Sequence, residues 1–335
     1  MQTVTNSHVE FAFLRATESA AVGAGYLVGR GDKNAIDAAA VAAMRAGLKH
    51  VPFCGTVVIG EGEKDQAPML FIGEALGTGE GAEFDVAVDP IDGTTLASKG
   101  GPGAIAVVAG APRGALFGTH VPYMEKIVVG AAARGSVSLN KSVGDNVRSA
   151  ASAMGRDVSE ITVAVLDRPR NQYAIEEVGQ AGARVRIFTD GDVAMGVMAM
   201  MDEHHRIDML YGIGGAPEGV VTACAARALG GDMQGRLWLR DHRDQRISVG
   251  EGIAPGRILR LDDLCKSKET FFAATGVTDG ELLQGVTYVR GYAHTESIVI
   301  SSYTGSIRRL NSKHIVDRAH TAIRAPFNLS NLATV

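Results

Sequence analysis

The sequence is poor in cysteine, which argues against a disulfide-stabilised or zinc-binding protein. Its 335 residues include three cysteines, Cys54, Cys224 and Cys265. They are far apart in the chain and form neither a CxxC pair nor a disulfide framework. Histidine and cysteine spacings typical of zinc sites are also missing. We therefore expect a protein of the reducing cytoplasm.

The chain also lacks a large excess of either charge and any long hydrophobic run. The formal net charge is -4 at pH 7, with no block of lysine and arginine, so nothing favours a nucleic-acid partner. The most apolar stretches, such as 35–48, contain charges and fall short of the about 20 residues that a membrane span needs. No basic segment followed by an apolar core marks a signal peptide at the N-terminus. We expect no membrane partner.

What the chain does have is an ordinary apolar content and many glycines. Apolar residues make up 46% and charged residues 21%, a balance typical of a globular domain with a real core. The length is sufficient for two domains or one large domain. The 42 glycines indicate tight turns and backbone that approaches a ligand closely.

Hydrophobic periodicity predicts alternating helices and strands. Helices are expected at 10–27 and 35–48, and strands at 56–60, 84–88, 104–109 and 126–130. In the second half, strands at 161–166, 184–188 and 207–211 alternate with helices at 173–180, 193–201 and 217–229. This alternation predicts an α/β layer sandwich. Polar residues near 154–160 suggest a boundary between an N-terminal α+β metal- and phosphate-binding domain, 1–158, and a C-terminal α/β substrate domain, 159–335.

Acidic residues follow several predicted strands or precede predicted helices. They are Asp32, Glu61, Glu63, Asp89, Asp92 and Glu218. Because strand ends converge on one crevice in layered α/β folds, we expect these carboxylates to meet, and they would repel one another unless a cation is bound. Oxygen ligands favour Mg²⁺ or Mn²⁺, and several carboxylates can hold two metals about 3.5–4 Å apart, as in phosphoryl transfer.

The residues after Asp92 suggest where a phosphate would lie. In VDPIDGTTLASKG, Gly93 lets the backbone approach a phosphate, and N–H groups at a helix start can receive it. A hydroxyl such as that of Thr94 could orient the attacking water. The alternative is purely structural: Asp89 and Pro90 begin a tight turn, and Asp92 caps a helix.

The segment D-P-I-D-G-T resembles the metal-dependent, lithium-sensitive sugar phosphatase superfamily, which includes inositol monophosphatases and fructose-1,6-bisphosphatases. Further segments resemble class II fructose-1,6-bisphosphatase: GRGDK, VVIGEGEKDQAPML, YMEKIVVG, LDRPR, FTDGDVA, GIGGAPEG and ATGVTDGELLQGV. The inositol monophosphatase signature W-D-x-A-A-G is absent, since the single tryptophan, Trp238, lies in RLWLRD.

This resemblance implies specific roles. The implied ligands of Mn²⁺ or Mg²⁺ are Asp32, Glu61, Asp89, Asp92 and Glu218. The implied catalytic residues are Thr94, Asp89 and Glu61. The implied substrate contacts are Asp92, Gly93, Thr94, Tyr123, Arg168, Arg170, Asp190, Gly191, Asp192 and Gly215. The family also implies a layered αβαβα sandwich of the sugar phosphatase type, a sugar bisphosphate as substrate and a homo-oligomer, often a tetramer. The implied reaction is hydrolysis of the 1-phosphate of fructose 1,6-bisphosphate in gluconeogenesis.

Other interpretations remain open at this point. The substrate could include sedoheptulose 1,7-bisphosphate, or the enzyme could act on another sugar or inositol phosphate. A non-catalytic regulator that binds a sugar phosphate, or a phosphatase with Asp190 as covalent nucleophile, would be a different mechanism. A dinucleotide-binding loop is disfavoured, because Asp65 stands where the third glycine of G-x-G-x-x-G belongs. Some relatives have Glu where Asp92 stands, so the geometry of a third metal could differ.

Overall fold

The computed structural model of the chain describes residues 6–60, 70–201, 207–316 and 323. The helices are α1 Asn6–Gly25, α2 Lys33–Leu48, α3 Thr94–Lys99, α4 Val143–Met154, α5 Gln172–Gln180, α6 Asp192–Met198, α7 Ala216–Leu229, α8 His242–Gly250 and α9 Leu261–Leu264. The strands are β1 Cys54–Ile59, β2 Ala75–Leu76, β3 Glu83–Asp92, β4 Ile105–Pro112, β5 Tyr123–Val129, β6 Thr162–Leu166, β7 Arg184–Phe188, β8 Met209–Gly215, β9 Asp232–Leu237, β10 Ile258–Arg260, β11 Phe271–Gly276, β12 Thr287–Val289, β13 Tyr292–Ser301 and β14 Ser306–Ile315.

The strands form two mixed sheets. The first sheet has the order β12-β13-β11-β4-β3-β1-β2, with β14 also paired to β13. Its β1 and β3 are parallel, whereas β3, β4 and β11 are antiparallel neighbours. The second sheet has the order β10-β9-β5-β8-β6-β7, with β6 parallel to both β7 and β8. Both faces of these mixed sheets carry apolar side chains. Helices or the other sheet therefore have to cover each face.

Three clusters of buried apolar residues show how the helices cover the sheets. One cluster joins α1 and α2 to the outer face of the first sheet, through residues such as Phe13, Met44 and Phe84. A second cluster lies between the two sheets and contains α6 and α7. A third joins α4 and α5 to the far face of the second sheet. The layer order is αβαβα, which confirms the fold expected from the family resemblance.

Several helices begin at a residue whose side chain caps them. Asp32 caps α2 by accepting a hydrogen bond from Ala35 N at 3.0 Å, and Ser142 caps α4 in the same manner. The apolar face of α2, formed by Ile36, Met44 and other residues, is fully buried, so tertiary packing stabilises the helix as well.

The two sheets do not divide the chain at residue 158. The first sheet combines β1–β4 with β11–β14, and the second combines β5 with β6–β10. Each sheet therefore takes strands from both sides of that position, and the division into domains 1–158 and 159–335 stays a prediction. Across the described segments, we find no helix with the length and apolar character needed to cross a bilayer.

Candidate active site

Three carboxylates that the sequence places far apart meet where β3 and α7 come together. Asp89 and Asp92 lie in β3, and Glu218 lies in the first turn of α7. One oxygen from each side chain lies within 4.8 Å of the other two. Asp89 and Asp92 are buried, 2% and 3% exposed. This group, which we call the carboxylate cluster, can hold a hard cation.

The starts of α3 and α6 are joined by two reciprocal hydrogen bonds beside this cluster. Thr95 N in α3 donates to Asp190 Oδ2 at 3.0 Å, and Val193 N in α6 donates to Asp92 Oδ2 at 3.1 Å. Each helix start is thus stabilised by a carboxylate that precedes the other helix. The arrangement fixes Asp92 and Asp190 beside the cleft.

Lys126 is a buried cation next to the carboxylates, and sequence reasoning missed it. It lies in β5, is 2% exposed, forms an ion pair with Asp192, and donates from Nζ to Gly215 O at 2.8 Å. The only sequence signal for this role is a charge at the first position of the predicted strand 126–130. An unpaired buried ammonium costs free energy, so Asp192 and Lys126 stabilise each other's charge in this interior position.

Burial and mutual repulsion perturb the carboxylates. The pKa of Asp92 is raised well above its usual range by burial, and then by the charges of Asp192 and Glu218. Burial, followed by the charge of Asp192, raises the pKa of Glu218 to about 7. Lys126 acts in the opposite direction on both groups but does not cancel the effect. The site therefore has more negative charge than the protein alone neutralises.

Two unsatisfied oxygens support a metal at this position. Within the described part of the chain, Glu218 Oε2 and Asp192 Oδ1 are buried and have no hydrogen-bond partner. Buried carboxylate oxygens are normally paired, and orphaned ones call for a ligand. The donor set is entirely oxygen, as Mg²⁺ and Mn²⁺ prefer. The residues present thus fit a divalent cation.

The turn between β3 and α3 has the backbone that a phosphate site needs. Gly93 precedes α3 with a φ of 94°, a left-handed conformation that favours glycine. Thr94 Oγ1 lies 3.1 Å from Ile91 O and 3.1 Å from Asp37 Oδ1, and donates its proton to one of them. Burial raises the pKa of Asp37 to about 6. Asp37, which sequence analysis treated only as a charge in an apolar helix, therefore belongs to the surroundings of Thr94.

One expected metal ligand, Asp32, lies outside the carboxylate cluster, and the position of another, Glu61, is not described. Asp32 is exposed and its Oδ1 accepts the capping hydrogen bond of α2. The start of α2 does lie beside α3, since Lys33 Nζ donates to Thr95 Oγ1 at 2.7 Å. Glu61, expected to be both a ligand and a catalytic residue, and its neighbour Glu63 lie outside the described residues.

Arginines and an aromatic side chain form another wall of the same cleft. The guanidinium carbon of Arg170 lies 4.7 Å from the centre of the Tyr123 ring, and Arg170 Nε donates to Ile213 O at 3.1 Å. Burial lowers the pKa of Arg170, although a guanidinium remains charged. Arg168 Nη2 lies 3.9 Å from Asp190 Oδ1. These contacts hold two cations beside the cleft.

The remaining expected substrate contacts also line this cleft. Gly191 directly precedes α6 with a φ of 82°, and Gly215 directly precedes α7 in an extended conformation. The cleft has a volume of about 650 Å³, enough for a sugar phosphate. Its lining includes Asp92, Tyr123, Arg168, Arg170, Asp190, Gly191, Asp192, Gly215 and Glu218, together with Arg240, Arg243 and Asp244, which sequence analysis did not single out.

An αβαβα sandwich with a carboxylate cluster beside a Gly-Thr helix start defines a phosphatase of the layered α/β class. Comparisons with known proteins narrow this class. The profile of the family described as bacterial fructose-1,6-bisphosphatase, glpX-encoded, matches residues 7–314. The chain belongs to this family of class II fructose-1,6-bisphosphatases, which are metal-dependent phosphatases that hydrolyse a phosphate monoester.

Curated relatives match over nearly the whole length. Fructose-1,6-bisphosphatase 1 class 2 of Escherichia coli strain K12 is 46% identical over 319 residues, covering 91% of this chain and 95% of that protein. The class 2 enzymes of Escherichia coli O6:H1 and Shigella flexneri match with the same identity and coverage.

Proposed function

We propose that this protein removes the 1-phosphate of fructose 1,6-bisphosphate with a divalent cation, Mn²⁺ or Mg²⁺, in the carboxylate cluster. Water attacks the phosphorus, the bond to the sugar oxygen breaks, and fructose 6-phosphate and inorganic phosphate leave. The observation that carries this proposal is one cleft lined both by arginines and by Asp92 and Glu218 of the carboxylate cluster. A bisphosphate needs two such different environments, one for the phosphate that reacts and one for the phosphate that stays.

The residues near the carboxylate cluster would bind and orient the reacting phosphate. When bound there, the cation supplies positive charge that stabilises the phosphate oxygens and activates a water molecule. Asp89, Asp92 and Glu218 would hold it, with Asp32 and Glu61 as further ligands expected from the family. Gly93 lets the backbone approach the phosphate, and the Thr94 hydroxyl directs the water into line with the bond that breaks.

The other wall would bind the phosphate that stays. The guanidinium groups of Arg168 and Arg170 can donate paired hydrogen bonds to phosphate oxygens. The Tyr123 ring, held against Arg170, limits the motion of that side chain. Asp190 and Asp192 line the cleft, where their oxygens can accept hydrogen bonds from sugar hydroxyls.

We also infer a cytoplasmic enzyme of gluconeogenesis that assembles as a homotetramer. All three cysteines are free thiols, in agreement with a reducing compartment. The assembly is tested by multi-angle light scattering of the purified protein, where a mass four times that of the chain is expected. A monomeric mass at working concentrations would reject the tetramer without affecting the proposed reaction.

Phosphate release by the purified protein tests the reaction. Fructose 1,6-bisphosphate, sedoheptulose 1,7-bisphosphate and inositol 1-phosphate are each assayed with Mn²⁺, with Mg²⁺ and with EDTA. We expect metal-dependent turnover of the fructose ester, abolished by EDTA, and little turnover of the inositol ester. A preference for the inositol ester would overturn the substrate assignment. No turnover by folded protein with either metal would instead favour a sugar-phosphate-binding regulator.

A further inference from the structure

We infer that Arg240 is a third arginine for the phosphate that stays on the sugar, and that Asp244 positions it. The inference rests on the proposed function, because it extends the same cleft. Arg240 follows β9 and Asp244 lies in the first turn of α8. The resemblance to known enzymes drew attention to neither residue.

The backbone brings Arg240 to the cleft wall. Trp238, just after β9, donates from its backbone N to Tyr123 O at 3.0 Å, so the pairing of β9 with β5 continues past the end of β9. The Trp238 ring meets the Tyr123 ring edge to face, with centroids 5.8 Å apart. Arg240 comes two residues later, at the corner where the chain turns into α8. Strand pairing therefore fixes Arg240 beside Tyr123.

The Tyr123 ring is shared by two guanidinium groups. The guanidinium carbon of Arg240 lies 5.2 Å from the ring centroid, and that of Arg170 lies 4.7 Å from it. Both distances are within the range of cation–π contact, which holds guanidinium groups in place without using their N–H donors. Arg240 and Arg170 therefore present hydrogen-bond donors to the same part of the cleft.

Asp244 fixes the orientation of Arg240. Its side chain is buried, 1% exposed, and accepts from Arg240 Nε at 2.8 Å, from Nη2 at 3.0 Å and from the backbone N at 3.1 Å. These hydrogen bonds lower the pKa of Asp244, so it stays ionised. A paired contact along one edge of a guanidinium leaves the donors of the other edge directed away from the acid. Those donors are suited to phosphate oxygens.

Both ends of α8 are held, so this orientation is rigid. At the start, Asp241 accepts from Arg243 N at 2.8 Å and from Asp244 N at 3.0 Å. At the end, Glu251 accepts from Thr119 Oγ1 at 2.6 Å and from His120 N at 2.8 Å. Thr119 and His120 themselves line the cleft. The ion pair of Arg240 and Asp244 therefore resembles a preformed binding element more than a mobile surface contact.

Substrates that differ only in the distant phosphate test the inference. The holoenzyme with Mn²⁺ is assayed on fructose 1,6-bisphosphate and on fructose 1-phosphate, and fructose 6-phosphate binding is measured by isothermal titration. For Arg240→Gln we expect the KM for the bisphosphate and the Kd for fructose 6-phosphate to rise about 10- to 100-fold, since a hydrogen bond to a charged group is lost. The kcat/KM for fructose 1-phosphate should change less than about 2-fold, because that substrate lacks the group Arg240 contacts.

Three more variants separate binding from structure. Asp244→Asn should raise the same KM and Kd about 3- to 10-fold with little change in kcat, because the arginine remains but loses its orientation. Arg240→Lys should behave similarly, since an ammonium keeps the charge without the paired geometry. Arg257→Gln is the matched control: Arg257 pairs with Asp263 at 2.8 Å, is 49% exposed and does not line the cleft. It should leave all constants unchanged.

The outcomes are distinct. The inference is wrong if Arg240→Gln leaves the KM for the bisphosphate and the Kd for fructose 6-phosphate unchanged. It is also wrong if the variant lowers kcat/KM equally for fructose 1,6-bisphosphate and fructose 1-phosphate. In both cases the proposed function stands. If the wild-type holoenzyme hydrolyses neither fructose ester and does not bind fructose 6-phosphate, the proposed function fails and this inference fails with it. Should Asp244→Asn not fold, the two Arg240 variants still decide the matter.

Discussion

At the scale of single residues, the Thr94 hydroxyl has two acceptors in reach. Asp37 Oδ1 and Ile91 O each lie 3.1 Å from it, so the hydroxyl is held in place before any substrate binds. A group fixed in this way can orient a water molecule without a further entropic cost. The preceding Gly93 places it at the edge of the carboxylate cluster.

Thr94→Ala should lower kcat about 100-fold and leave KM within about 3-fold, because misplacement of a reacting group mainly affects the chemical step. Thr94→Ser keeps a hydroxyl and should retain most of the activity. The measurement is steady-state phosphate release with Mn²⁺ and fructose 1,6-bisphosphate. Thr95→Ala, one residue further along, is the control for local damage. A wild-type kcat in Thr94→Ala would remove Thr94 from the mechanism.

Lys126→Met should destabilise the metal-free protein by about 3–5 kcal/mol, the usual cost of removing one partner of a buried ion pair. It leaves Asp192 unpaired beside Asp92 and Glu218, whose charges already repel. A bound cation supplies compensating charge, so the loss should be smaller with Mn²⁺ present. Urea unfolding with and without metal measures both values.

The surface substitution Lys141→Met serves as the control for Lys126. Lys141 is exposed and its Nζ donates to Ser136 O and Ser149 Oγ, so loss of the side chain should cost little. Equal stability losses in the two variants would contradict a special role for Lys126.

At the scale of the element, the turn between β3 and α3 combines a left-handed backbone conformation with close packing. Gly93→Ala puts a side chain at a φ of 94° and sets its Cβ 3.3 Å from Ala104 Cα. We expect a stability loss of about 1–2 kcal/mol from the backbone alone, and a loss of activity because the new methyl group changes the turn at the phosphate. Thermal unfolding and phosphate release measure the two effects.

Gly114→Ala separates the backbone effect from the site effect. Gly114 has a φ of 79°, and a Cβ there meets nothing within 4 Å. Its substitution should therefore cost similar stability without loss of kcat. If both variants kept full activity, the turn would not contact the phosphate.

The elements that could be predicted from sequence are those whose apolar pattern is local. Helix α7 was expected at 217–229 and runs Ala216–Leu229, because a proline in its first turn and a glycine after its last residue mark both ends. Strand β3 was expected to end at Val88, yet it continues to Asp92. Pairing with β4 extends it past Pro90 through an irregularity between Asp89 and Asp92, and that pairing is not visible in the local sequence.

Residues that act through distant partners were the ones that sequence reasoning missed. Lys126, Arg240 and Asp244 have roles defined by contacts with other elements of the fold, and no local spacing indicates those contacts. The strands β11, β13 and β14 were not predicted either. Strand β11 pairs with β4, which lies far away in the chain, whereas β13 and β14 form a local hairpin to which the sequence analysis assigned no element. The carboxylate cluster was foreseen in part, since acids directly after strands share a crevice in this class of fold.

At the scale of the whole molecule, metal binding is linked to protons. Without metal, the pKa of Glu218 is about 7 and that of Asp92 is also raised, so the folded protein retains protons that the unfolded chain releases near pH 4–5. This contribution to stability is complete at low pH and is lost as the pH rises through about 7. A cation binds the ionised carboxylates and therefore competes with protons.

The rise in melting temperature caused by Mn²⁺ should accordingly be larger near pH 8 than near pH 6, because fewer protons must leave at the higher pH. Differential scanning fluorimetry with and without metal measures the rise, and titration calorimetry in two buffers of different ionisation enthalpy counts the protons released. Glu218→Gln should reduce the difference between the two pH values. The same rise at both values would contradict the linkage.

The way the chain alternates between its two sheets has a consequence for how the enzyme is made. Strand β4 lies between β3, which carries Asp89 and Asp92, and β11, which spans Phe271–Gly276. As the chain leaves the ribosome, one edge of β4 stays uncovered until β11 has been synthesised, and an uncovered apolar edge invites aggregation. Premature termination before β11 would thus yield insoluble fragments, with no partial activity, because the sheet that contains Asp89 and Asp92 remains incomplete until most of the protein exists.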